Sequence, residues 1–157
     1  MKANPVHTWV LLGLVLLLAG CDCTVPLTSS PTRKIEERAL GDWVGEGKDA
    51  GSLQLRRFDD LTYIAVIDRD AYRVYHSDFA NLPFTSVQDL NSTERKYCFY
   101  TWRLSPDGNQ LVLRRLSSKV IPEDAPDIAT LQQHVTRNLG DPHLLDEEVV
   151  FNRRPAF

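Results

Sequence analysis

The chain has 157 residues, with 18 Lys and Arg against 21 Asp and Glu, a formal net charge of −3 and no long run of either sign. That balance argues against a nucleic-acid binder, because neutralising a phosphate backbone needs clustered basic side chains. The basic doublets, Arg56–Arg57, Arg114–Arg115 and Arg153–Arg154, fall in strand-like sequence, where neighbours point to opposite faces.

Lys2 precedes an apolar run from Trp9 to Leu18. The run is far shorter than the roughly twenty residues a membrane-spanning helix needs, so residues 1–20 read as a signal peptide. Leu18, Ala19, Gly20 and Cys21 follow directly. Small Ala19 and Gly20 leave the peptide bond open to a peptidase, and the thiol of Cys21 can carry a thioether-linked diacylglycerol. This string resembles the lipobox of bacterial prolipoproteins. The resemblance implies cleavage before Cys21, acylation of Cys21 with palmitate-type chains, and a lipoprotein held on the periplasmic face of a membrane. Each buried methylene contributes about 0.8 kcal/mol, so two or three chains make the anchor permanent. Asp22 is similar to the inner-membrane retention signal of enteric-type lipoproteins, which leans the expectation toward the inner membrane.

Residues 21–32 are rich in Thr, Ser and Pro and poor in apolar side chains, so they are expected to form a flexible lipidated tether. The remaining residues, 33–157, suit one domain with one core. Arg33 to Leu40 places Ile35 and Ala39 one helical turn apart, which predicts a short helix closing one end of the domain.

From Gly41 the pattern is strand, turn, strand. Trp43 and Val44 lead into a glycine-rich turn, and Leu53 and Leu55 then alternate with Gln54 and Arg56. Tyr63 to Ile67, Tyr72 to Phe79 and Phe84 to Leu90 continue the series. Tyr97 to Leu104 puts Cys98, Tyr100, Trp102 and Leu104 on one face and Tyr97, Phe99 and Thr101 on the other. Pro106 and Gly108 fit the tight connection to Leu111–Leu116. One helix follows, with Asp124 as the expected N-cap, Pro126 and Asp127 in its first turn, and Ile128, Leu131, Val135 and Leu139 as its apolar stripe. Gly140 and Pro142 stop it, and Glu148 to Arg153 makes a last strand. Eight strands in one small domain predict an all-β, closed antiparallel barrel with the helix before its final strand, since closure removes exposed edges.

The lipobox at Cys21, the Ser/Pro-rich segment after it, and Gly41-Asp42-Trp43 opening the first strand together resemble small bacterial lipoproteins with a lipocalin-like barrel domain of unknown function. The resemblance implies structural roles for Trp43 and for Arg153 or Arg154, one of which stacks on Trp43 by a cation–π contact of about 0.5–2 kcal/mol. One departure is visible: in lipocalins the helix follows the last barrel strand, whereas here it precedes Glu148–Arg153.

Two cysteines remain besides Cys21. Cys23 and Cys98 either form a disulfide or leave Cys98 as a small buried hydrophobe. No nucleophile lies beside a base in a recognised motif, and no P-loop, dinucleotide or zinc-protease pattern occurs, so no enzyme activity and no cofactor are expected. His76 with Asp78, and His143 with Asp146 and Glu147, lack a third ligand at definable spacing, so no metal is expected. Two functions survive. The first is an envelope interaction module, offering loops to a protein or to peptidoglycan and favoured because many strand aromatics would fill the interior. The second is a carrier or sensor of a small apolar or amphiphilic molecule, with Tyr63, Tyr100 and Trp102 as lining candidates.

Overall fold

The computed structural model describes residues 22–47 and 51–155; the segment read as a signal peptide and lipobox, with Cys21, lies outside them. Eight strands follow in chain order: β1 (Gly41–Gly45), β2 (Ser52–Arg57), β3 (Thr62–Ile67), β4 (Asp70–Phe79), β5 (Leu82–Asp89), β6 (Tyr97–Leu104), β7 (Gln110–Arg115) and β8 (Val149–Arg153). Each pairs antiparallel with the next, and β8 returns to β1 through Trp43 opposite Arg153, Val44 opposite Asn152 and Gly45 opposite Phe151. The sheet is a closed barrel, so every described strand finds partners on both sides. Helix α1 (Ile128–Arg137) precedes β8.

The period of two sorts side chains into two cores. Inward-facing Trp43, Leu53, Leu55, Tyr63, Ala65, Tyr72, Val74, Val87, Tyr100, Leu111 and Phe151 line the barrel interior, with Trp102 and Leu113 packed against them. Outward-facing Phe84 and Phe99 form a second cluster with Leu131 and Val135 of α1. This explains the helix stripe: it covers an apolar patch on the barrel wall. The N-cap is Asp127, whose side chain accepts from Thr130 N at 2.7 Å, and not Asp124. The helix therefore begins one turn later than the sequence suggests, after the irregular segment holding Pro126.

The segment expected to be a flexible tether is instead packed over its described part, residues 22–32. Cys23 makes an antiparallel bridge to Tyr97, and Leu27 is completely buried between the barrel and α1. Gln132 Nε2 donates to Leu27 O, Tyr75 OH to Thr28 O, and Thr28 Oγ1 to Ser77 Oγ. The segment runs down the outer wall as a strap, because Leu27 has a groove to enter and its backbone has partners. Below it, a 3₁₀ turn at Glu37–Ala39 inserts Ile35 and Ala39 into one barrel end. That closing element is a single tight turn where a short helix was expected.

Trp43 closes the same end. It is fully buried, its Nε1 donates to Ala39 O at 3.0 Å, and the Arg153 guanidinium lies 4.3 Å from its ring centre. Arg153 in turn donates to the carbonyls of Gly108, Leu40 and Arg38. Gly41 is required here: its φ is +136°, and a Cβ would lie 2.8 Å from Arg153 Nη1.

Cys23 and Cys98 are both buried, and no disulfide joins them. Cys23 shares the outer face with its bridge partner Tyr97, whereas Cys98 is one residue on and points into the barrel, so the sheet wall separates the two side chains.

Candidate functional site

Antiparallel order puts the loops after β1, β3, β5 and β7 at one barrel end and those after β2, β4 and β6 at the other. The second end is closed by Trp43, Ile35 and Ala39. Toward the first end the interior opens into a cavity of about 110 Å³. Gly51, Asp68 and Ile67 lie at its mouth; Leu53, Leu55, Ala65, Val74, Val87, Leu111, Leu113 and Phe151 form its walls, with Tyr100 and Trp102 among them. Thr85, 3% exposed, lies at its inner end.

The sequence-based count of aromatics led to an expectation of a filled interior. Alternation leaves only four of those seven aromatics facing inward. Tyr63, Tyr72, Tyr100 and Trp102 point inward, but Tyr97 and Phe99 pack outward against the strap and helix, and Tyr75 reaches outward to Thr28 O. Much of the remaining wall is Leu, Val and Ala, which are too short to meet at the barrel axis. Of the three ligand candidates, Tyr100 and Trp102 line the cavity and Tyr63 lies beneath it.

Tyr63 belongs to a polar floor. His76, on β4, is opposite Thr85 on β5, and its Nδ1 lies 2.9 Å from Thr85 Oγ1. Its Nε2 lies 3.1 Å from Tyr63 OH, which also accepts from Glu36 N. The imidazole packs 4.1 Å from Trp102, centre to centre, at a tilt of 52°, and edge-on to Tyr63 at 5.3 Å. Burial pushes the His76 pKa down to about 4, with the Arg33 charge adding to the effect and Glu36 opposing it, so the ring is neutral at pH 7. Burial likewise raises the Tyr63 phenol and keeps it protonated.

His76 and Thr85 escaped the sequence reading as a pair. A signal existed: both share parity with inward Val74 and Val87, so each is a polar residue on an otherwise apolar face. His76 does not form a ligand pair with Asp78, which is exposed and bound to Arg33 at 2.9 Å. His143 donates its backbone N–H to Asp141, and among the described residues no group of three or more His, Cys, Asp and Glu is placed to hold a metal ion.

At the mouth end, Arg115 donates to Asp22 Oδ2 at 3.1 Å. That contact brings the start of the strap to the barrel end at which the cavity opens. No protein-family model, curated protein or solved structure matches this chain.

Proposed function

We propose that this chain is a lipid-anchored envelope protein whose barrel, lipocalin-like in architecture, takes a small apolar molecule into its interior as a carrier or sensor. The apolar cavity of about 110 Å³ supports this reading most directly. Protein interiors are close-packed, and voids larger than a water molecule are few. A cavity of about 150 Å³ lined by Leu, Ile and Phe stays dry and binds benzene, so a six-membered ring or a short alkyl tail is the right scale. The other reading, an envelope module offering loops to a protein or peptidoglycan, drew its preference from the expectation of a packed interior, and the cavity favours the carrier reading over it.

The anchor adds a direction. Asp22 is held by Arg115 at the mouth end, and Cα atoms joined by a trans peptide are about 3.8 Å apart. Acyl chains on Cys21 would therefore hold the mouth close to the bilayer, which suits a hydrophobic ligand that partitions into membrane. The lipocalin-like assignment is supported by Gly41 and Trp43 in β1 with Arg153 over the indole.

Calorimetric titration with toluene tests the reading. Saturable binding by the full chain is expected, with loss of binding in Ala65→Leu, which places a larger side chain in the cavity while circular dichroism reports the retained fold. Absence of saturable binding to the wild-type chain refutes a ligand site in the barrel.

A further inference from the structure

We propose that the ligand carries a neutral hydrogen-bond acceptor at its inner end and that Thr85 recognises it. This rests on the cavity being a ligand site and names the chemistry that site selects. Protons along the floor outnumber the contacts that take them up. Three contacts link Glu36 N–H, Tyr63 OH, the His76 ring and Thr85 OH. A neutral imidazole carries one N–H and one acceptor nitrogen, and each hydroxyl has one proton to donate.

Four groups thus offer a proton each, and only three contacts join them, so one hydroxyl proton is left without an acceptor among these described groups. If the ring proton is on Nε2, Thr85 donates to Nδ1 and the unmatched proton is that of Tyr63, which is fully buried below the cavity. If it is on Nδ1, Tyr63 donates to Nε2, Nδ1 donates to Thr85 Oγ1, and the unmatched proton is that of Thr85. Only Thr85 of the two lines the cavity. An acceptor entering from the mouth therefore completes the series and selects the second tautomer. A buried donor left unpaired is costly, which gives the site a preference for such a ligand over one that leaves the proton unmatched.

The acceptor is neutral because nothing at the floor compensates a negative charge. Among the described residues the cavity lining holds no Lys, Arg or His, and Asp68 at the mouth is its one charged residue. An anion carried to Thr85 would be desolvated without a partner. A ketone, ester or ether oxygen on a compact apolar body fits both the volume and the single donor.

The test titrates the full chain and two variants with cyclohexane, cyclohexanone and cyclohexanecarboxylate. Thr85→Val should weaken cyclohexanone about tenfold, the scale of one buried polar group losing its partner, and leave cyclohexane within about twofold of wild type. Thr85→Ser should retain the ketone affinity. Cyclohexanecarboxylate should bind the wild type more weakly than cyclohexanone. Equal effects of Thr85→Val on the two neutral rings, or tighter binding of the carboxylate, overturn the proposal. If Thr85→Val does not fold, the infrared carbonyl stretch of cyclohexanone bound to the wild type decides: a shift to lower wavenumber than in hexane is expected, and an unshifted band overturns it. Failure of every ring to bind would count against the cavity as a ligand site, whereas binding without dependence on Thr85 defeats the present inference alone.

Discussion

Replacing Trp43 with alanine removes the side chain on which the closed end of the barrel is built. The indole is fully buried, and large-to-small changes of this kind in a core cost about 3–5 kcal/mol. Two further losses are specific to this site. Ala39 O loses the Nε1 donor at 3.0 Å, worth about 1 kcal/mol, and Arg153 loses the ring face beneath it. Arg153 keeps three carbonyl acceptors, so its share is at the low end of the cation–π range, about 0.5 kcal/mol. The expected destabilisation is about 5 kcal/mol, comparable with the whole stability of a marginal domain. Trp43→Phe keeps most of the apolar volume and loses chiefly the N–H bond, so about 1–2 kcal/mol is expected. Urea denaturation followed by circular dichroism measures both. An unfolding free energy for Trp43→Ala within about 1 kcal/mol of wild type would refute the account, as would equal effects of the two substitutions.

His76 gives a pH dependence with a definite sign. Its pKa falls from 6.5 to about 4 on folding, so between those values the unfolded chain binds a proton that the native chain does not, and stability falls as pH drops through this window, by up to about 1.4 kcal/mol per unit. His76→Gln should remove this dependence, so the wild-type-minus-variant stability difference should fall between pH 7 and pH 5, and an identical slope in both proteins would contradict the buried neutral ring. Cys23 and Cys98 should resist a thiol reagent in the native state, the Cys23 pKa being pushed up to about 11 chiefly by burial, and both should react on unfolding without reductant; no reactive thiols in the unfolded chain would reveal a disulfide. Cys21→Ser should accumulate as an unacylated precursor, and incorporation of a palmitate analogue by that variant would remove the lipoprotein assignment.

The sequence by itself determined what depends on neighbours in the chain. Alternation of Leu53, Leu55, Ala65 and Ile67 with other residues marks strands because a period of two is a local property of the extended backbone. Ile128, Leu131 and Val135 mark a helix for the same reason at another period. The number of strands, and the helix ahead of the last one, followed from these patterns, and closure followed from the cost of open edges. What depends on distance across the fold was decided only by the tertiary structure. Leu27 looks like a stray apolar residue in a polar linker until α1 and the barrel wall form a groove for it. Asp124 and Asp127 are equivalent as caps in sequence, and Asp127 is the one that accepts from Thr130 N. Tyr63, His76 and Thr85 lie on three strands and meet only because β3, β4 and β5 pair in one register. The cavity is the furthest from the sequence. Its volume is the difference between the space that eight strands enclose and the side chains that happen to point inward, and such a difference is a property of the closed barrel, not of any segment within it.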